Sequence, residues 1–278
     1  MRKVIGYIRL SRPQNDAIAG LSVLVGASVS GPVESWWKVF FACLSAFLIS
    51  AGGNSINDVF DLDIDRINKP YRPLVKGDIS VRSAVLFSVV LFSLGVLLTL
   101  GIKLVSVLLA LAVSILLVIY SAALKKRPLW GNLAVALVSA SAFAYGGVIG
   151  KDWRISLIPA GFAFLFHLGR EVLKDIEDLK GDSSRGASTL PIRAGIAGSL
   201  AFISLVFALL VALSGLPYML HVFSLLYLLI VIPGVDLILV YVMWSMWRDS
   251  SSSNLHRLSN LLKADMLLGL AAIYLGRL

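Results

Sequence analysis

The sequence predicts an all-α, polytopic membrane protein, with nine transmembrane helices around a central cavity and the N-terminus on the cytoplasmic side. Three observations carry this expectation. Of the 278 residues, 58% are apolar and 15% charged, and the mean hydropathy is +0.87, whereas charged residues make up about 25% of an ordinary soluble domain. Apolar runs of about 17–25 residues, the length that crosses a bilayer core as a helix, recur along the chain. Finally, 20 of the 25 Lys and Arg residues fall at the N-terminus and in the even-numbered loops between these runs. That asymmetry orients a membrane protein with its basic loops in the cytoplasm.

The first run, Asp16–Ser30, follows a basic start that imitates a signal peptide, but the many later runs mark it as a transmembrane helix. The second, Trp37–Val59, ends in an acidic motif, and Ala84–Leu100 and Leu104–Ala122 follow the loop beyond it. Leu129–Ile149 comes after the basic loop Lys125–Arg127, and Ile155–Leu173 runs into a second acidic motif. Gly195–Leu213 precedes Tyr218–Trp247, which is long and interrupted by Pro233-Gly234. Counting that segment as two helices would weaken the charge asymmetry, so it is read as one. Leu261–Leu275 is the last. The whole chain, 1–278, reads as a single domain of two repeated halves, about 1–125 and 126–247, with the final helix at 261–275.

The two acidic motifs are the chemistry of this chain. They read Asn57-Asp58-x-x-Asp61-x-x-x-Asp65 and Asp175-x-x-Asp178-x-x-x-Asp182, and both Asp61 to Asp178 and Asp65 to Asp182 span 117 residues. Of 16 acidic residues, 10 lie in the segments Asp58–Asp78 and Glu171–Asp182. On a continuous helix Asn57, Asp61 and Asp65 share one face, as do Asp178 and Asp182. Carboxylates stacked this way repel one another, and a hard cation relieves the repulsion. Mg²⁺ suits the pattern, because it binds through one or two carboxylates together with substrate phosphate. The expected site is therefore Mg²⁺ held by Asp61, Asp65, Asp178 and Asp182, with Asn57 as a neutral oxygen ligand or orienting group; the alternative is a solvated acidic loop beside the membrane. Cations interleave with the acids. Arg72 and Lys125 are the first choices for a diphosphate, and Lys174 is a further one or an i,i+4 partner of Asp178.

These residues resemble the UbiA superfamily of membrane prenyltransferases, whose signature is N-D-x-x-D-x-x-x-D in the first half and D-x-x-x-D in the second. Arg72-Pro-Leu-Val-Lys-Gly77 matches the family's R-P-L-x-x-G loop, and Tyr120, Lys125 and Gly131-Asn132 fit its third loop. The resemblance runs from Arg12-Pro13 to about Gly195. It implies a nine-helix bundle, Mg²⁺ dependence, a polyprenyl diphosphate donor in the lipid membrane, and Tyr120 beside the diphosphate. The segment Gly169–Asp182 with Ser188-Thr-Leu-Pro191 is most similar to the archaeal ether-lipid branch. That branch implies transfer of a geranylgeranyl group from geranylgeranyl diphosphate to the hydroxyl of a lipid-phosphate acceptor, geranylgeranylglyceryl phosphate.

Such an acceptor needs a second anion pocket, for which Arg9, Arg12 and Asn15 are candidates, interfacial anchoring being the plainer role for them. Asp58 or Asp175 is the candidate for the proton released by the acceptor. An aromatic or tetrapyrrole acceptor is the alternative, and a cation transporter is a different class that inward-facing acids also describe. The formal charge of +9 needs no nucleic acid, since basic loops facing an anionic leaflet account for it. The single cysteine, Cys43, excludes an intrachain disulfide or a Cys-based zinc site. Asp236, inside the eighth run and three residues after Pro233, is a functional candidate that no family motif covers.

Overall fold

The computed structural model describes residues 2–33, 35–183 and 188–277, apart from the side chains of Arg2, Lys3, Lys180 and Asp182. Among them there are only helices and connections: α1 (Arg2–Ser11), α2 (Pro13–Val29), α3 (Trp36–Phe60), α4 (Leu62–Asn68), α5 (Val81–Leu97), α6 (Leu104–Ala122), α7 (Trp130–Gly147) and α8 (Leu157–Glu177). There follow α9 (Leu179–Ser183), α10 (Leu190–Ser214), α11 (Leu216–Met219), α12 (Leu225–Val231), a π turn (Ile232–Asp236), α13 (Leu237–Arg248) and α14 (Ser252–Gly276). A helix stands on each of the nine predicted segments. Five continuous helical segments among the described residues are long and apolar enough to cross a membrane: Trp36–Phe60, Leu104–Ala122, Leu190–Met219, Leu225–Arg248 and Ser252–Gly276. Val81–Leu97 is apolar but shorter.

Two boundaries differ from the sequence expectation by more than five residues. The eighth segment begins not at Tyr218 but at Leu225, because His221 turns the chain with φ 54° after α11. The ninth begins at Ser252, nine residues earlier than predicted, because Ser251 caps it by accepting a hydrogen bond from the Asn254 amide (3.4 Å).

The helix surfaces are arranged for lipid. α6 buries Ser106, Ala110, Ser114 and Ser121 and exposes Leu104, Leu108, Leu111 and Ile115. A helix in water does the reverse. Small residues inside let backbones approach where no hydrophobic drive brings helices together, and the Ser114 and Ser121 hydroxyls are satisfied by donating to carbonyls one turn back.

The chain forms two compact units. The first is Met1–Lys125 with Ser141–Trp153, and the second is Lys126–Ala140 with Arg154–Leu278, so α7 starts in one and ends in the other. In the first unit α3 packs on α1, α2, α5 and α6, over a core of Val23, Ala27, Val39, Ala42, Ile102, Tyr145 and Ile149. Gly26 and Gly146 let α2 and the end of α7 touch backbone to backbone. A Cβ on Gly26 would lie 2.1 Å from the Phe143 carbonyl oxygen, and one on Gly146 2.0 Å from that of Val23. In the second unit α8 packs on α10 and α14, and α14 also packs on α12 and the π turn.

Candidate metal and diphosphate site

Each acidic motif sits where a long helix gives way to a short one. α3 ends at Phe60 and α4 begins at Leu62, with Asp61 at the joint (φ −88°, ψ −2°). α8 ends at Glu177 and α9 begins at Leu179, with Asp178 at the joint (φ −88°, ψ 4°). The expected unbroken helix through each motif is thus interrupted at its first repeated aspartate. The interruption is gentle, because the Asp61 amide still bonds the Asn57 carbonyl (2.9 Å) and the Asp65 amide the Asp61 carbonyl (2.8 Å). Asn57, Asp61 and Asp65 therefore stay close to one face, and the Asn57 side-chain amide donates to Asp61 Oδ2 at 2.8 Å.

In the first unit three aspartates are buried at 2, 5 and 3% exposure (Asp58, Asp61 and Asp65). Burying three carboxylates unpaired would be prohibitive, and among the described residues three cations answer them. Lys125 binds Asp61. Arg72 binds Asp65 and, at 2.8 Å, Asp58, and Arg12 binds Asp58 as well. Burial, reinforced by the neighbouring Asp61 and Asp58, pushes the Asp65 carboxyl above the usual carboxylate range in spite of Arg72. Burial works against the charge on Arg72 too, but Asp58 and Asp65 outweigh it and hold that guanidinium firmly charged.

The loop that delivers Arg72 is itself anchored. Leu74 and Ile79 pack with Leu10 and Ala84 in a small core. Gly77 supplies the positive φ (75°) that lets the Asp78 amide close back on the Pro73 carbonyl at 3.0 Å. Arg12 is held from the other side. It caps α2 in a left-handed conformation (φ 61°, ψ 63°). Asn54 receives its guanidinium (3.5 Å) while donating to the Ser11 carbonyl (3.0 Å) and to Asp16 (2.9 Å). Asp16 is fully buried and also accepts from Ser50 at 2.7 Å. Sequence reading passed over Asp16 and Ser50. The available signal was an acid within the first turn of an apolar helix, four residues after Arg12.

Of the other expected acceptor residues, Arg9 is exposed and Asn15 half-buried. Tyr120 lies half-buried in the last turn of α6. In the second unit, Asn132 donates to Asp175 at 2.8 Å. Lys174, expected as a diphosphate ligand or a partner of Asp178, bonds the buried Glu171 at 2.9 Å, which Arg170 joins at 3.3 Å. Asp178 is half-buried, and the side chain of Asp182 lies outside the described residues.

Among the described residues no three Asp, Glu, His or Cys side chains are grouped tightly enough to hold a metal. The first motif nevertheless fits a hard cation. Its donors are carboxylates and one amide oxygen, and that oxygen, Asn57 Oδ1, is buried without a hydrogen-bond partner beside Asp61. What stands in the way is Lys125 and Arg72, the cations a phosphate would draw off.

Residues 19–264 match the model of the UbiA prenyltransferase family. The chain is 35% identical to the digeranylgeranylglyceryl phosphate synthase of Methanosphaera stadtmanae over 272 residues, covering 98% of this chain and 99% of that one. It is 37% identical to the synthase of the same name from Methanopyrus kandleri over 267 residues, 96% of this chain and 97% of that one. A solved structure concerned with digeranylgeranylglyceryl phosphate synthase in membranes superposes with a TM-score of 0.78 at 34% identity, covering 100% and 99% of the two chains. A UbiA homolog from Archaeoglobus fulgidus bound to GPP and Mg²⁺ shares the fold, with a TM-score of 0.72 at 21% identity over 96% and 99%. The chain belongs to the UbiA prenyltransferase family.

Proposed function

We propose that this prenyltransferase moves a geranylgeranyl group from geranylgeranyl diphosphate to the hydroxyl of geranylgeranylglyceryl phosphate, with Mg²⁺, at the cytoplasmic face of the cell membrane. The near-full-length likeness to synthases of that name supports the donor and acceptor. The observation that carries the chemistry is the set of three buried aspartates answered by Arg12, Arg72 and Lys125. Such a set is charge-balanced when empty and ready to exchange partners when an anion and its metal arrive. The division of 20 basic residues against 5 supports nine crossings with both motifs in the cytoplasm.

Asp61 and Asp65, with Asn57 Oδ1, are the metal donors of the first motif, and Asp178 and Asp182 those of the second. Mg²⁺, when bound there, neutralises diphosphate charge and stabilises the leaving group. Lys125 and Arg72 turn from carboxylate to diphosphate and stabilise the charge that grows as the allylic C–O bond breaks with its electron pair on the diphosphate. Lys174 and Tyr120 are further candidates for binding diphosphate. Among Arg9, Arg12 and Asn15, Arg12 is best placed for the acceptor phosphate, since Asn54 and Asp58 already hold it. The acceptor hydroxyl oxygen forms the new C–O bond and gives up its proton. Asp58 is engaged by two guanidinium groups, so we assign it to holding Arg12 and Arg72 and leave Asp175 as the proton acceptor.

Purified protein supplied with both substrates should form the digeranylgeranyl product in Mg²⁺ and not after chelation. Asp61→Asn and Asp178→Asn should each lower the rate by about 100-fold or more, the scale of losing a main electrostatic contributor, while the protein stays folded. Full activity in either variant would overturn the metal assignment.

A further inference from the structure

The second unit holds two acids that the prenyl-transfer chemistry does not use. Asp236 closes the π turn Ile232–Asp236, and Asp265 lies midway along α14. Both are buried, Asp265 at 1% exposure. Ser214 donates to Asp236 Oδ2 at 2.8 Å, and the Tyr227 hydroxyl fixes the Ser214 carbonyl at 2.8 Å. Asp236 Oδ1 and both oxygens of Asp265 have no hydrogen-bond partner among the described residues, and no Lys, Arg or His pairs with either acid.

The two side chains belong to one packed place. Leu268 lies 3.6 Å from where a Cβ on Gly234 would stand, and Val235 lies 3.9 Å from one on Gly269. Asp265 sits one helical turn before Leu268 and Gly269, on the face turned to the π turn. The place therefore collects three orphaned carboxylate oxygens at mid-span, where two bare negative charges are not tolerated.

We propose that Asp236 and Asp265 bind one divalent cation of the calcium type, tying α14 to the π turn. Two carboxylates call for two positive charges, and a monovalent ion would leave one unanswered in an apolar setting. Calcium accepts carboxylate oxygens in variable number and geometry, whereas magnesium demands a near-ideal octahedron and keeps several waters. π turns inserted in α-helices recur at functional sites, and this one supplies Asp236.

The test is equilibrium binding of radioactive calcium to the purified full chain, with Mg²⁺ held in excess to occupy the aspartate motifs. The wild type and Asp61→Asn should each retain one calcium per chain, and Asp265→Asn should bind it at least tenfold more weakly. A second measurement does not depend on the variant folding: calcium at constant Mg²⁺ should raise the wild-type unfolding midpoint. No calcium in the wild type, retention in Asp265→Asn, loss in Asp61→Asn, or no calcium effect on the wild-type midpoint would each overturn the proposal. So would an Asp265→Asn protein that is more stable than the wild type while neither responds to calcium, the behaviour of a protonated acid pair.

Discussion

At the scale of single residues, the site depends on cations that hold carboxylates and can let them go. Arg72 reaches both Asp58 and Asp65 with one guanidinium. A lysine is a point charge without that fork, so Arg72→Lys should cost about tenfold or more in kcat/KM, read by steady-state kinetics with circular dichroism unchanged. Asp65 gives a second handle. Burial holds its carboxyl above the ordinary carboxylate range, and Mg²⁺ bound there as proposed would need it ionised and would expel a proton. The Mg²⁺ concentration for half-maximal activity should rise as pH falls from neutral toward that range. It should level off at higher pH, where Asp65 is already ionised, and the dependence should flatten in Asp65→Asn. A wild-type requirement independent of pH would count against Asp65 as a ligand. Sequence named Asp61, Asp65, Arg72 and Lys125 because spacing and charge are written in the chain. It passed over Asp16 because a lone acid at the start of an apolar helix does not name its partners; only the fold reveals that Ser50 and Asn54 converge on it.

At the scale of elements, helices were legible and their joints were not. Apolar length marks where a helix runs, but the break at Asp61 is a change of a single residue's backbone within an otherwise helical pattern. The start of the eighth segment moved to Leu225 for a similar reason, since a left-handed His221 has no sequence signature. Lys174 bonds Glu171 one turn back, and the burial of Glu171 makes that partner one that spacing alone does not single out. Packing of elements yields its own expectation. Gly146→Leu would drive a side chain into the α2 backbone at Val23. It should destabilise the protein by about 1–3 kcal/mol, seen as a lower midpoint in detergent. Leu74→Ala should loosen the Arg72 loop and cost about 2–5 kcal/mol at a buried leucine.

At the scale of the whole molecule, a 117-residue spacing suggested two equivalent halves, and both motifs do sit at the same kind of helix joint with nearly the same dihedral angles. The two compact units, however, divide α7 between them, with Ser141–Trp153 in the first. The central claim is that both motifs serve one metal-dependent transfer to a lipid phosphate. The most direct measurement offers radiolabelled geranylgeranyl diphosphate to the purified protein with geranylgeranylglyceryl phosphate and 4-hydroxybenzoate in competition. Mg²⁺-dependent label should appear in the lipid-phosphate product and be absent in Asp61→Asn and in Asp178→Asn. Label in the aromatic product, or transfer that survives either substitution, would contradict it.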